Sequence, residues 1–142
     1  MSDVYYMNEA VFEVPQQGFV DHTVTALNAI TPGGRDIGIR VHRSALPADK
    51  PLRVIVDEHV AEATRTLPAY ALLWNRDAQI ADAAAIELGA RWRGEDSMNY
   101  SRQAHFAVQG LWLLVSVNAV LEDLEHADRA MEQVLSTLRF AR

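Results

Sequence analysis

The stretch that decides the fold occupies residues 83–120 and reads AAAIELGARWRGEDSMNYSRQAHFAVQGLWLLVSVNAV. Much of it alternates apolar side chains with polar or small ones, which is the two-residue period of β-strands. The alternating runs cover residues 83–93, 98–108 and 111–120. Short turns at Gly94 and at Gln109-Gly110 separate them, and connections this short join antiparallel neighbours. The stretch therefore predicts an antiparallel meander.

The residues before the meander predict further strands and one helix. Residues 70–79 form a fourth strand of the meander, and residues 52–67 carry apolar side chains at three- and four-residue spacing, as an amphipathic helix does. Asp49 or Lys50 is the predicted helix cap, with Pro51 in the first turn. Earlier still, Pro32-Gly33-Gly34 separates two strand-like runs and predicts a hairpin. Residues 10–14 form another short strand.

The chain ends in a second amphipathic segment. Its apolar residues share one helical face: Leu121, Leu124, Ala127, Met131, Val134, Leu135 and Leu138. The order of strands, helix, strands and helix predicts an α+β domain in which two main helices pack on an antiparallel sheet. No linker, repeat or low-complexity run divides the sequence, so we expect residues 1–142 to form a single domain.

Composition excludes several classes of protein. The chain has 142 residues, 49% of them hydrophobic, which suits one folded domain with its own core. It has no cysteine, so thiolate metal sites and a cysteine nucleophile are excluded. A net charge of −6 without a clustered basic face argues against nucleic acid as a partner. The opening residues resemble no signal peptide and no apolar run approaches about 20 residues, so we expect a soluble cytoplasmic protein that does not insert into a membrane.

The second face of the predicted sheet is unusually poor in charge. In an antiparallel sheet one face packs on helices and the other normally carries polar residues. Here Val24 and Ala26 share one face of their strand, while Trp112 and Leu114 lie opposite the main apolar row of theirs. A surface like that indicates a binding or oligomer interface, unless a loop or terminus covers it.

No arrangement of residues predicts catalysis. The five histidines form no HxxxH or HxH pair, so local metal-ligand spacing is missing. Gly33-Gly34-Arg35 lacks the lysine and hydroxyl residue of a phosphate loop, and no serine has the context of a nucleophile elbow. We therefore predict no catalytic residue, no metal and no cofactor, and a protein that is not an enzyme.

Several short segments, taken in order, resemble one family. They are Tyr6-x-x-Glu9-Ala10-x-x-Glu13-x-Pro15 with Asp21 following, Val41-His42-Arg43, Leu67-Pro68-Ala69-Tyr70, Arg102-Gln103, and the polar stretch at 122–126 before the last helix. This order is similar to the effector-associated chaperones (Eag proteins) of bacterial type VI secretion, a DcrB-like group also called DUF1795. The resemblance covers nearly the whole chain.

The resemblance implies a fold related to Mog1 and PsbP proteins and a homodimer whose sheets form a concave, partly apolar cradle. The cradle of these chaperones holds the N-terminal transmembrane helices of a secreted effector, often one with a PAAR domain, until the effector is loaded for export. The family's client-binding positions correspond here to Val24, Ala26, Arg40, His59 and Gln103.

Two of these positions depart from the family pattern. His59 stands where the family has a glutamine, although histidine also donates or accepts a hydrogen bond. Arg40 stands where the family has a small aliphatic residue. Either Arg40 is specific to this protein's client, or the strand is shifted by one residue, which would turn Ile37, Ile39 and Val41 toward the cradle instead.

Two other functions remain open at this point. A small-ligand-binding or enzymatic α+β domain would place its pocket between sheet and helices. A Mog1-like adaptor would bind a folded partner and ignore apolar helices.

Overall fold

The computed structural model describes residues 3–6, 11–14 and 23–140. Along the described chain the strands are β1 (Asp3–Tyr6), β2 (Val11–Val14), β3 (Val24–Ile30), β4 (Asp36–Ala45), β5 (Ala71–Ile80), β6 (Ala83–Arg93), β7 (Met98–Val108) and β8 (Leu111–Val120). Helix α1 (Leu52–Thr66) lies between β4 and β5, and α2 (Leu124–Thr137) follows a short 3-10 turn, Leu121–Asp123, after β8.

The main sheet has six strands in the order β3-β4-β8-β7-β6-β5, and every neighbouring pair is antiparallel. Strands β1 and β2 pair with each other as a separate two-stranded sheet. The predicted α+β fold with two main helices on an antiparallel sheet is thus confirmed. Three predicted strands match β6, β7 and β8 to the residue, because alternation and turn residues agree there.

Two tight turns set the register of the meander. Gln109 and Gly110 between β7 and β8 have φ angles of 52° and 77°, and Ala81 and Asp82 between β5 and β6 have φ angles of 51° and 62°. Two consecutive positive φ angles are typical of the type I′ turn, whose twist matches that of the two strands of a hairpin. Only the first of these turns contains a glycine, so the second holds two side chains in a conformation that disfavours them.

The main core lies between the sheet and α2. Tyr100, Phe106, Val117 and Met131 are among its fully buried side chains, and the partly buried residues packed against it come from β4, β5, β8 and α2. This face of the sheet is covered along its centre, as the apolar stripe of the last helix predicts.

Helix α1 covers only part of the opposite face. Its buried Val56 packs with Ile86, Leu88 and Ala90 of β6, and the helix contacts β6 and β7. Pro51 is the residue before its first turn, and neither Asp49 nor Lys50 caps it; Lys50 bonds Glu58 instead. Among the described residues, no helix packs along the part of this face formed by β3, β4 and β8.

Within the described ranges, no helix is both long enough and apolar enough to cross a membrane.

Candidate functional site

The uncovered part of the sheet forms a groove beside α1, with a volume of about 350 Å³. Strands β3, β4 and β8 supply its floor, and β7 and α1 supply one side. Its lining residues include Val24, Arg40, His42, Ser44, His59, Gln103, Trp112, Leu114, Ser116 and Asn118. We call this surface the α1 groove.

Four of the five predicted client-binding residues line the α1 groove, and the fifth shares its face. Ala26, Arg40, Ser116 and Gln103 stand side by side on β3, β4, β8 and β7, because each is the direct cross-strand partner of the next. Cross-strand partners project from the same face of an antiparallel sheet. The next row begins with Val24, whose side chain is 52% exposed.

The structure also decides the register of β4. Ile37, Ile39 and Val41 pack against the core on the α2 side, and Arg40 lines the groove on the α1 side. The alternative register, with the three aliphatic residues in the groove, is therefore wrong. It would have moved three core side chains into water and buried a guanidinium under α2.

A chain of hydrogen bonds runs across the groove floor in one direction. The indole N–H of Trp112 can only donate, and it lies 3.1 Å from Nδ1 of His105. Nδ1 therefore accepts, and the neutral ring carries its proton on Nε2. That nitrogen lies 2.9 Å from Oε1 of Gln103 and donates to it. Nε2 of Gln103 in turn donates to Oγ of Ser101 at 3.2 Å.

This chain fixes which way the Gln103 amide points. Because Oε1 must face His105, the two amide N–H groups face away from it. One of them bonds Ser101, and the Gln103 side chain also interacts with His59 of α1. Gln103 lines the groove, so its amide lies where it can meet a polar group of a bound molecule.

Two histidines meet under the groove. The rings of His59 and His105 are 5.2 Å apart, and each lies 5.9 Å from the ring of Trp112. Burial, reinforced by the neighbouring His59, lowers the pKa of the fully buried His105 to about 3. Burial also lowers the pKa of His59, against the opposing effect of its bond with Gln103. Both rings are therefore neutral near pH 7.

Local spacing could not have shown this cluster, because His59 is on α1 and His105 on β7. The distance between them depends on the packing of helix on sheet. Within the described residues, no group of three histidine, aspartate or glutamate side chains is placed to hold a metal ion. The cluster is thus a polar network that completes the floor of the groove.

Among the described residues, the groove lining includes no carboxylate, although the whole chain carries a net charge of −6. Its cationic side chains are Arg40 and Arg43. Apolar residues and uncharged polar groups make up the rest. A molecule in this groove would meet amide, hydroxyl, imidazole and aliphatic groups together with positive charge.

Arg102, the neighbour of Gln103 in the family-like segment, points the other way. Its side chain is 5% exposed and lies 3.0 Å from Glu87 and 2.7 Å from Glu132 of α2. Its guanidinium also lies 5.6 Å from the ring of Trp74. Arg102 therefore ties α2 to the sheet, and only Gln103 of this pair belongs to the groove.

Comparison with known proteins places the chain in a family. The family model DcrB matches residues 9–137, so the chain belongs to the DcrB family. No protein with a curated description matches the sequence.

Solved structures share the fold at low sequence identity. A Pseudomonas aeruginosa protein of unknown function, PA94, is 23% identical with a TM-score of 0.85, and the match covers 99% of this chain and 98% of that one. LpqN of Mycobacterium tuberculosis, a protein involved in cell envelope biogenesis, is 14% identical with a TM-score of 0.57 over 86% of this chain and 85% of that one. The PsbP protein of Synechocystis sp. PCC 6803 (CyanoP) is 10% identical with a TM-score of 0.54, over 96% and 89%. The predicted relation to PsbP folds is confirmed.

Proposed function

We propose that this DcrB-family protein is a cytoplasmic, non-enzymatic chaperone that binds the N-terminal transmembrane helices of a type VI secretion effector, often a PAAR-containing one, before its export. The observation that carries the proposal is the α1 groove, a part of a sheet face that no described helix covers and that combines apolar with uncharged polar side chains. An exposed transmembrane helix in water needs such a cover.

The size of the uncovered surface supports a helical client. Three neighbouring strands are spaced over about 10 Å, which matches the 10–12 Å diameter of a helix with its side chains. Strand β4 has 10 residues, so it extends about 33 Å, close to the roughly 30 Å of a membrane-spanning helix. One apolar helix lying along the strands would therefore fit the surface.

The chemistry of the surface supports the same client. Aliphatic groups such as Val24 and Leu114 would pack on the helix, and the amide of Gln103 would meet a hydroxyl or carbonyl on it. Neutral polar groups meet such partners without the desolvation cost of a buried charge. The neutrality of His59 and His105 near pH 7 preserves this property.

We further propose that the working form is a homodimer. Every residue of the edge strand β3 is exposed, including Val24 at 52% and Ile30 at 65% on the groove face. A long exposed edge strand with apolar side chains favours pairing with another chain. A second copy beside β3 would extend the groove and enclose more of a client.

The test is co-expression with an N-terminal fragment of an effector encoded beside this protein. We expect a soluble complex, with two copies of this protein to one fragment by light scattering. Changing Val24→Asp together with Gln103→Glu should abolish the complex, because both place negative charge against an apolar client. Leu27→Asp is the matched control, since Leu27 is 60% exposed on the same strand and pairs with Ile39 on the opposite face.

Two results would contradict the proposal. The fragment could stay insoluble beside the wild-type protein, or the groove variant could retain the complex as well as the control does. A metabolite that stabilises the protein against heat would then favour a small-ligand site, for which 350 Å³ is a sufficient volume. Binding of a soluble folded domain would favour an adaptor.

A further inference from the structure

The guanidinium of Arg40 is the feature of the α1 groove that the function proposed above does not use. Arg40 lies on β4, between Ala26 of β3 and Ser116 of β8, in the row that crosses the groove floor. Its residue is exposed. Within the described residues its side chain makes no hydrogen bond and no ion pair, whereas the arginines of the opposite face, Arg76 and Arg102, are both paired with Glu87.

Among the described residues, no carboxylate forms an ion pair with Arg40. No described residue that lines the groove is acidic. Asp36 shares two neighbouring cavities with Arg40 but forms no ion pair with it. Among the described residues the guanidinium therefore has no acidic partner, in a site from which the proposed client would exclude water.

A purely apolar helix laid over Arg40 would remove that water without replacing it. An isolated charge that is desolvated in this way is strongly unfavourable. A carboxylate on the helix would instead form a charge-assisted and geometrically suited pair with the guanidinium. Because Arg40 would weaken the binding of a purely apolar helix and strengthen the binding of a helix with a carboxylate, this one side chain would discriminate between clients.

We infer that Arg40 selects, as the guest of the α1 groove, an apolar helix that carries an aspartate or glutamate side chain. The inference rests on the proposed function and specifies its substrate class. The pair forms where the helix crosses the row of Ala26, Arg40 and Ser116. Arg40 is then a specificity-determining residue, and the groove is selective among apolar helices.

The experiment is a competition between matched helices. The probes are a soluble carrier protein fused to a 22-residue leucine–alanine helix with one central glutamate, or with glutamine or lysine at the same position. Four versions of each, with the variable residue at four consecutive positions, present it on every side of the helix. Two differently tagged probes are co-expressed with the full-length protein, and the ratio captured with it is measured by mass spectrometry.

We expect the wild-type protein to enrich the glutamate helix over the glutamine helix by about tenfold or more, as hydrogen-bonded charge pairs do in dry sites. Arg40→Met should bring this ratio close to one, and Arg40→Glu should reverse the preference toward the lysine helix. Arg91→Met is the matched control, since Arg91 is an exposed arginine of β6 outside the groove lining. Arg43 is present in every variant and so cannot cause a difference between them.

The outcomes separate this inference from the proposed function. If the wild-type protein captures the glutamate and glutamine helices equally at all four positions, the guanidinium of Arg40 does not pair with the bound helix. That result overturns the inference and leaves the proposed chaperone function standing. If the protein captures neither helix and also fails to hold its natural effector fragment, the proposed function itself is wrong. A preference for glutamate that survives in Arg40→Met would assign the selection to another residue and would also overturn the inference.

Discussion

Acid should destabilise this protein through His105 before the carboxylates titrate. The ring is fully buried and its pKa is lowered to about 3, while histidine in an unfolded chain has a pKa of about 6.5. The folded state therefore binds fewer protons than the unfolded state in the interval between these values. The stability that neutral His105 contributes is complete above the unfolded pKa and is lost as the pH falls toward the folded one.

The size of the effect follows from proton linkage. Between pH 7.5 and pH 5, protonation of one unfolded histidine lowers the free energy of unfolding by about 2 kcal/mol, provided that the folded pKa stays below about 4. His59 changes the stability in the same direction, because its pKa is lowered too. A loss of about 2 kcal/mol is a large share of the 5–15 kcal/mol that stabilises a typical domain.

The assay is urea denaturation of the wild-type protein and of His105→Gln at several pH values between 7.5 and 5. Glutamine keeps a donor toward Gln103 but cannot titrate, so its stability should fall less steeply than that of the wild type, by about 2 kcal/mol over the interval. Carboxylates common to both proteins cancel in the comparison. Equal slopes for the two proteins would refute a neutral, buried His105.

Three further predictions concern the fold. Phe106→Ala should lower the free energy of unfolding, measured by urea denaturation, by about 3–5 kcal/mol, because Phe106 is fully buried. A loss below about 1 kcal/mol would mean that the core collapses into the space left by the ring. Glu87→Ala should lower the free energy of unfolding by up to about 3–5 kcal/mol, because it removes one of the two carboxylates that pair with the buried Arg102 and leaves only α2 to neutralise it. No change in the same urea series would mean that the carboxylates of α2 suffice for Arg102. The double variant Ala81→Asn, Asp82→Gly should stabilise the protein by on the order of 1 kcal/mol and so raise its melting temperature, because both positions have positive φ angles, which asparagine and glycine adopt more easily. An unchanged melting curve would contradict strain in this turn.

The strands of the sheet could be predicted from the sequence because two independent patterns, apolar alternation and turn residues, agree on where each strand begins and ends. Alternation fixes which side chains share a face, and turn residues such as Gln109-Gly110 fix where the chain reverses. Together they predicted β6, β7 and β8 to the residue. They also gave the common face of Val24 and Ala26, from which the groove follows once β4 is in register.

Other features depend on contacts that no local pattern encodes. The register of β4 was ambiguous, since its strand contains both aliphatic and charged residues, and the packing of Ile37 and Ile39 against the core decided it. The meeting of His59 with His105 depends on how α1 lies on the sheet. The cap of α1 was placed at Asp49 or Lys50, whereas the observed cap is Pro51.

The alternation along β4 has a consequence for how such a protein changes over generations. Ile37, Ile39 and Val41 hold the fold together, while Gly38, Arg40 and His42 between them face the other side. A substitution at an even-numbered position can thus alter what is bound without disturbing the core one residue away. Under the proposed function, one short strand would be subject to two separate selective pressures, and descendants could exchange one partner for another in single steps. An alignment of close relatives should show this as variability with a period of two residues.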